Sequence, residues 1–97
     1  MIKIKFHPDA ELEMLDAAVW YEGEQKGLGK RFLDHVQEAV DNLSVNPGIY
    51  QIVAGDVRRK LVKTFPYGVL FRELPGHIVV IAVMHLHREP GYWRERL

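Results

Sequence analysis

The stretch VRRKLVKTFPYGVLFRELPGHIVVIAVMHLHREPGYWRER, Val57 to Arg96, decides how this chain folds. Two corners, Phe65-Pro66-Tyr67-Gly68 and Pro75-Gly76, divide it. They predict three strands: Val57 to Thr64, Gly68 to Leu74 and His77 to His87. Leu74-Pro75-Gly76-His77 carries the Pro and Gly of a tight turn, which makes the last two strands antiparallel neighbours. Alternation places Arg59, Leu61 and Lys63 on one face of the first strand and Arg58, Lys60 and Val62 on the other. In the last strand it groups Ile78, Val80, Ala82, Met84 and Leu86 on one face and Val79, Ile81, Val83, His85 and His87 on the other. A strand apolar on both faces belongs in the middle of a sheet, so its free side is expected to accept another strand.

The preceding residues supply that strand and a layer to cover the sheet. Ile2 to Phe6 alternates apolar and basic, the pattern of a half-buried strand. Pro8 suits a first helical position, with Asp9 and Glu11 favouring the positive helix end. The first helix is expected over Pro8 to Gly23, with Ala10, Met14, Ala17, Ala18 and Tyr21 on its core face and Leu15, Val19 and Trp20 widening that face. Gly27-Leu28-Gly29 makes a tight connection to a second helix over Lys30 to Asn46, whose Phe32, Val36, Ala39, Val40 and Leu43 are helically spaced. Asn46-Pro47-Gly48 stops it. Ile49 to Asp56 reads as a loop, with Tyr50 and Ile52 tucked under the sheet. The order is β-α-α-β-β-β: an α+β fold with a helical hairpin on a small, mostly antiparallel four-stranded sheet.

Length and composition bound the rest. Ninety-seven residues fit one domain, 1–97, with one core. There is no cysteine, which removes disulfides, thiolate metal sites and a cysteine nucleophile. No long apolar leader opens the chain, and Ile78 to Met84 falls far short of the roughly 20 apolar residues of a membrane helix, so a cytoplasmic protein is expected. Net charge is zero, yet residues 1–47 hold five Lys/Arg against nine acids and residues 48–97 hold eight against four. The molecule is bipolar, −4 then +4. Its basic half suits an acidic partner, while its acidic half opposes wrapping by nucleic acid.

One sheet face concentrates candidate chemistry. Arg59 and Lys63 on one strand, Arg72 on the next, His85 and Arg88 at the end of the last and Tyr92 just beyond are expected to converge. Arginine forks bind phosphate or carboxylate, and histidine or tyrosine moves protons, a set suited to acid–base cleavage of RNA. Ordinary solvated charge over an apolar sheet accounts for the same residues. Arg72 is equally suited to a surface ion pair, and Trp93 to covering the sheet edge. His85-x-His87 shares a face but has no third ligand in the sequence, so no metal and no cofactor are expected.

Order and spacing of several weak motifs together resemble the RelE/ParE superfamily of small toxins from type II toxin–antitoxin modules, often labelled plasmid stabilisation proteins. The matching residues are Pro8-x-Ala10, Tyr21-Glu22, Gly27-Leu28-Gly29, Phe32, Pro47, Arg58-Arg59, Phe65-Pro66-Tyr67, Phe71-Arg72, His85-x-x-Arg88-x-Pro90 and Tyr92-Trp93-x-x-Arg96. The resemblance implies a growth inhibitor silenced by a cognate antitoxin, and it leaves a homodimer open. RelE-like members cut mRNA on the ribosome; here Arg59, His85, Arg88 and Tyr92 are the candidate catalytic set. ParE-like members poison DNA gyrase by binding it; here Arg59, Lys63, Arg72, Arg88 and Trp93 are the candidate target-binding set. Gly68 and Leu61 stand where RelE-like nucleases tend to carry basic residues. Ribosome-docking enzymes gain affinity from phosphate neutralisation, and this chain is neutral. Both features lean the reading to ParE-like binding, with RelE-like cleavage and an inactive antitoxin-binding relative as alternatives.

Overall fold

The computed structural model describes residues 2–97. Its elements are β1 (Lys3–Phe6), α1 (Pro8–Glu24), α2 (Leu28–Leu43), β2 (Gln51–Ala54), β3 (Val57–Leu61), β4 (Tyr67–Leu74) and β5 (His77–His85), with single 3-10 turns at Pro47–Ile49 and Arg94–Arg96. The strands form one open sheet in the order β1-β5-β4-β3-β2. β1 lies parallel to β5, and every other pairing is antiparallel. The apolar last strand is flanked on both sides, as its two-faced hydrophobicity requires.

The sheet has five strands where the sequence reading gives four. Gln51–Ala54 is a short edge strand on β3, with Gln51 opposite Arg59 and Ile52 opposite Arg58. Its side chains are not sorted between core and solvent: Ile52 is 51% and Val53 37% exposed. No period-two signal marks such a strand. Ile52 therefore does not tuck under the sheet, whereas Tyr50 does, its ring 6.0 Å from that of Phe71.

Both helices pack on one face. His7 caps α1, its Nδ1 accepting the Asp9 amide at 3.1 Å, and Pro8 fills the first turn. Gly27, at φ +86°, turns the chain into α2. Glu22 caps that start from the preceding helix, accepting the amides of Gly27 at 2.9 Å and Gly29 at 3.0 Å. A Cβ on Gly29 would stand 2.5 Å from the Ala18 carbonyl oxygen, so glycine is what lets the two helices cross this closely. Ala10, Ala17 and Ala18 of α1 are buried, but Leu15, Val19 and Trp20 are 43%, 73% and 62% exposed. The widened face of α1 expected as core is thus two faces, one on the sheet and one in solvent.

The sheet separates two apolar clusters. The helix side gathers Phe32, Val36, Val69, Phe71, Ile78, Val80 and Val83. Tyr21, Phe32, Phe65 and Tyr67 close its end, with Tyr21–Phe65 centroids 4.9 Å apart and Phe32–Tyr67 centroids 5.0 Å apart. The far side gathers Val57, Leu70, Ile81, Ala82, Met84 and Trp93.

Strict alternation in the last strand fails at one point. Leu70 pairs with Ala82 and Phe71 with Val80, leaving Ile81 as the extra residue of a bulge. The bulge sets Ile81 and Ala82 on the same far face, so Ala82 and Met84 join Ile81 there while Val83 and His85 turn to the helix side. The strand also ends at His85, and His87 and Arg88 lie in the turn beyond it.

Candidate functional site

Arg59 lies on the far face, opposite Leu70 in the β3–β4 ladder. Its stem fills the space above Gly68: a Cβ there would meet Arg59 Cγ and Cδ at 3.0 Å. The position where a nuclease-type arginine is absent is therefore covered by the stem of Arg59. The Arg59 guanidinium donates to Gln51 Oε1 at 3.2 Å. Arg88 and Trp93 border the same region, lining one cavity with Arg59, Leu70 and Met84. Trp93 is 4% exposed, so its ring is floor and offers no open face.

His85 sits elsewhere. It pairs with Tyr67 across β4–β5, and its ring packs edge-on to that tyrosine at 5.2 Å, on the helix side of the sheet. Its Nδ1 accepts the His87 amide at 3.1 Å. Arg59 and His85 thus occupy opposite faces, and the convergence expected from the sequence divides in two. Lys63 is exposed in the corner after β3, outside the strand expected to carry it, next to Thr64 at φ +75°. Arg72 forms a fork with Asp56, Nε to Oδ1 at 3.1 Å and Nη2 to Oδ2 at 3.1 Å. That hydrogen bond holds the Asp56 carboxyl below the ordinary aspartate range. Among the described residues no group of three or more His, Asp or Glu side chains is placed to hold a metal ion.

Tyr92 and Arg88 belong to a third arrangement, centred on a residue the sequence reading does not single out. Glu13 projects from α1 with its side chain only 14% exposed. It accepts hydrogen bonds from Arg96 Nη1 at 2.8 Å, from the Val83 amide at 3.1 Å and from the Tyr92 hydroxyl. Arg88 Nη1 stands 3.8 Å from the same carboxylate, and its guanidinium lies 3.8 Å from the centroid of the Tyr92 ring. Burial first, then the hydrogen bond to Glu13, raises the Tyr92 phenol far above its ordinary pKa. Its proton is committed to Glu13, and the ring serves as a brace between the tail and α1.

The only advance signal of Glu13 is its helical position. It stands three residues after buried Ala10 and four before buried Ala17, on the face that meets the sheet. A carboxylate there needs a cation, and Arg96 supplies it from the other end of the chain.

A family model described as "ParE toxin of type II toxin-antitoxin system, parDE" matches residues 4–90. Among solved structures, a chain from the chromosomal ParDE toxin–antitoxin system of P. aeruginosa matches with a TM-score of 0.75 at 16% identity, over 90% of this chain and 98% of that one. No curated protein matches in sequence.

Proposed function

The chain belongs to the ParE toxin family of type II toxin–antitoxin systems, and we propose that it arrests growth by occupying a protein target, DNA gyrase, without cutting RNA. The observation that carries this reading is the separation of Arg59 from His85 by the sheet. Acid–base cleavage needs a proton carrier within hydrogen-bond reach of the group it serves, near the cation that stabilises the developing charge. Among the described residues no histidine lines the far-face cavity that holds Arg59, and Arg88, which borders it, turns its guanidinium to Glu13. The nearby Tyr92 hydroxyl is bound to Glu13 and holds its proton tightly.

What the far face offers is a basic, apolar-floored surface, suited to docking a protein with complementary charge. Arg59 and Trp93 meet there, with Arg88 at the border and Lys63 exposed at the neighbouring corner. Arg72, already forked onto Asp56, contributes as an ordered pair. A cognate antitoxin would silence the protein by covering these groups. No helix among the described residues is long and apolar enough to cross a membrane. We place the protein in the cytoplasm, where gyrase and antitoxin are found, and read residues 1–97 as one toxin domain.

Induced expression tests the reading. Growth should stop without the antitoxin and continue with it, and translated messages should show no new ends by primer extension. New, position-specific ends that vanish in an Arg88→Ala variant would replace it with the nuclease reading.

A further inference from the structure

The far-face cavity has a volume of about 200 Å³ and is lined by Arg59 and Arg94, by the border residue Arg88 whose guanidinium reaches Glu13, and, among the described residues, by no carboxylate. Leu70, Met84 and Trp93 make its floor and are 1%, 8% and 4% exposed. Two glycines set two of the arginines. Gly68 leaves the space that the Arg59 stem occupies, and Gly91, at φ +83°, does the same for Arg94. A Cβ on Gly91 would stand 2.7 Å from Arg94 Nε. The Arg94 amide also donates to the Gly91 carbonyl at 3.1 Å. The guanidiniums are thus partly pre-positioned, which lowers the cost of ordering them around an anion.

We propose that this cavity receives a carboxylate-bearing aliphatic segment of a partner protein, a leucine-like side chain on the floor with an acidic side chain between the arginines. It rests on the reading that the far face binds protein, and it gives the chemistry of what binds. Three observations select this occupant. The Arg59 and Arg94 guanidiniums have no acid among the residues lining the cavity and leave a positive field that a carboxylate answers, whereas the Arg88 guanidinium is turned toward Glu13. The volume is below the roughly 300–1,000 Å³ of pockets that hold whole small ligands, so it suits one or two side chains. A nucleobase would need an exposed aromatic face to stack on, and the floor tryptophan has none.

The test uses three probes with the full-length protein: a decapeptide alternating Glu and Leu, the same peptide with Gln for Glu, and a uridine decanucleotide. Binding is followed by fluorescence anisotropy and by the Trp93 indole N–H resonance. The Glu–Leu peptide should bind, shift that resonance, and lose about tenfold in affinity with Gln in place of Glu. Arg59→Gln/Arg94→Gln should lose a similar factor or more, whereas the charge-matched control Lys26→Gln/Arg31→Gln, away from the cavity, should match the parent. Equal binding of the Glu and Gln peptides would overturn the proposal, and so would an unmoved Trp93 resonance. Tighter binding of the uridine probe would also overturn it and give the face to nucleic acid. If the Arg59/Arg94 variant does not fold, the peptide comparison and the Trp93 shift in the parent decide alone. Peptide failure with gyrase still inhibited would remove this cavity while leaving target occupancy standing. Peptide binding without gyrase inhibition would do the reverse.

Discussion

Glu13 and Arg96 meet at 2.8 Å where the sheet runs out of a strand. β1 stops at Phe6, opposite Val80, because Pro8 turns the chain into α1. Beyond that point the outer edge of β5 has no neighbouring strand among the described residues. The His7 amide takes the Val80 carbonyl at 2.9 Å, Arg96 donates to the Ile81 carbonyl at 3.1 Å, and Glu13 accepts from the Val83 amide. Two side chains from distant parts of the sequence finish a backbone ladder. The bulge at Ile81 determines which groups face that edge.

Removing Glu13 should therefore cost more than a surface pair. Glu13→Ala leaves a mostly buried Arg96 guanidinium, a strand amide and a tyrosine hydroxyl without their acceptor. The expected loss is about 3 kcal/mol, or roughly 10–20 °C in thermal midpoint. The tail from Gly91 onward should become the first site of limited proteolysis. A melt within a degree or two of the parent would mean that the cluster is ornamental.

Alkaline titration reads the same cluster from its tyrosine. Tyr92 has a raised pKa in the fold, so its contribution to stability is whole below the ordinary tyrosine value of 10.0 and is lost as pH rises toward the folded value. Tyr21 and Tyr67 are also raised, by burial. Phenolate absorbance should show Tyr92 ionising last, together with loss of the native circular dichroism. Tyr92→Phe should remove that last step.

Asp56 tests the opposite sign. Arg72 depresses its pKa, so the pair's contribution is present above the unfolded aspartate value and disappears as pH falls through the lower folded value. Carboxyl NMR should show Asp56 titrating below the ordinary aspartate value, and Arg72→Gln should move it back up. Its exposure makes the effect on global stability small.

Gly29→Ala should destabilise by about 1–3 kcal/mol, because the new methyl meets the Ala18 backbone and α2 must move off α1. Gly68→Ala should cost less, since what it meets is the flexible stem of Arg59. It should still displace that guanidinium and weaken target binding. Thermal melts of the two variants, read beside gyrase inhibition, separate the effects: the first loses stability, the second activity.

What the sequence reveals follows from how local its signals are. The helices, the Pro75-Gly76 hairpin and the outer pairing of β5 are local in pattern, and all are present. The pairing of Arg72 with an acid is foreseeable in kind, though Asp56 is sixteen residues away. The bulge is invisible because β5 is apolar on both faces, so a shift of one residue leaves the pattern unchanged. That hidden residue is why His85 reads as a neighbour of the far-face arginines and lies on the other side. β2 is too short and too exposed to announce itself. Glu13 is one of several acids on α1, and its partner is 83 positions along the chain, beyond any local periodicity.

The most direct test is the supercoiling activity of purified DNA gyrase titrated with this protein. Occupancy of a protein target predicts inhibition that is complete near equal molar amounts and reversed by the cognate antitoxin. It should be weakened at least tenfold by Arg59→Gln/Arg88→Gln in a folded variant. Full supercoiling at large molar excess of the folded, growth-arresting protein would contradict it.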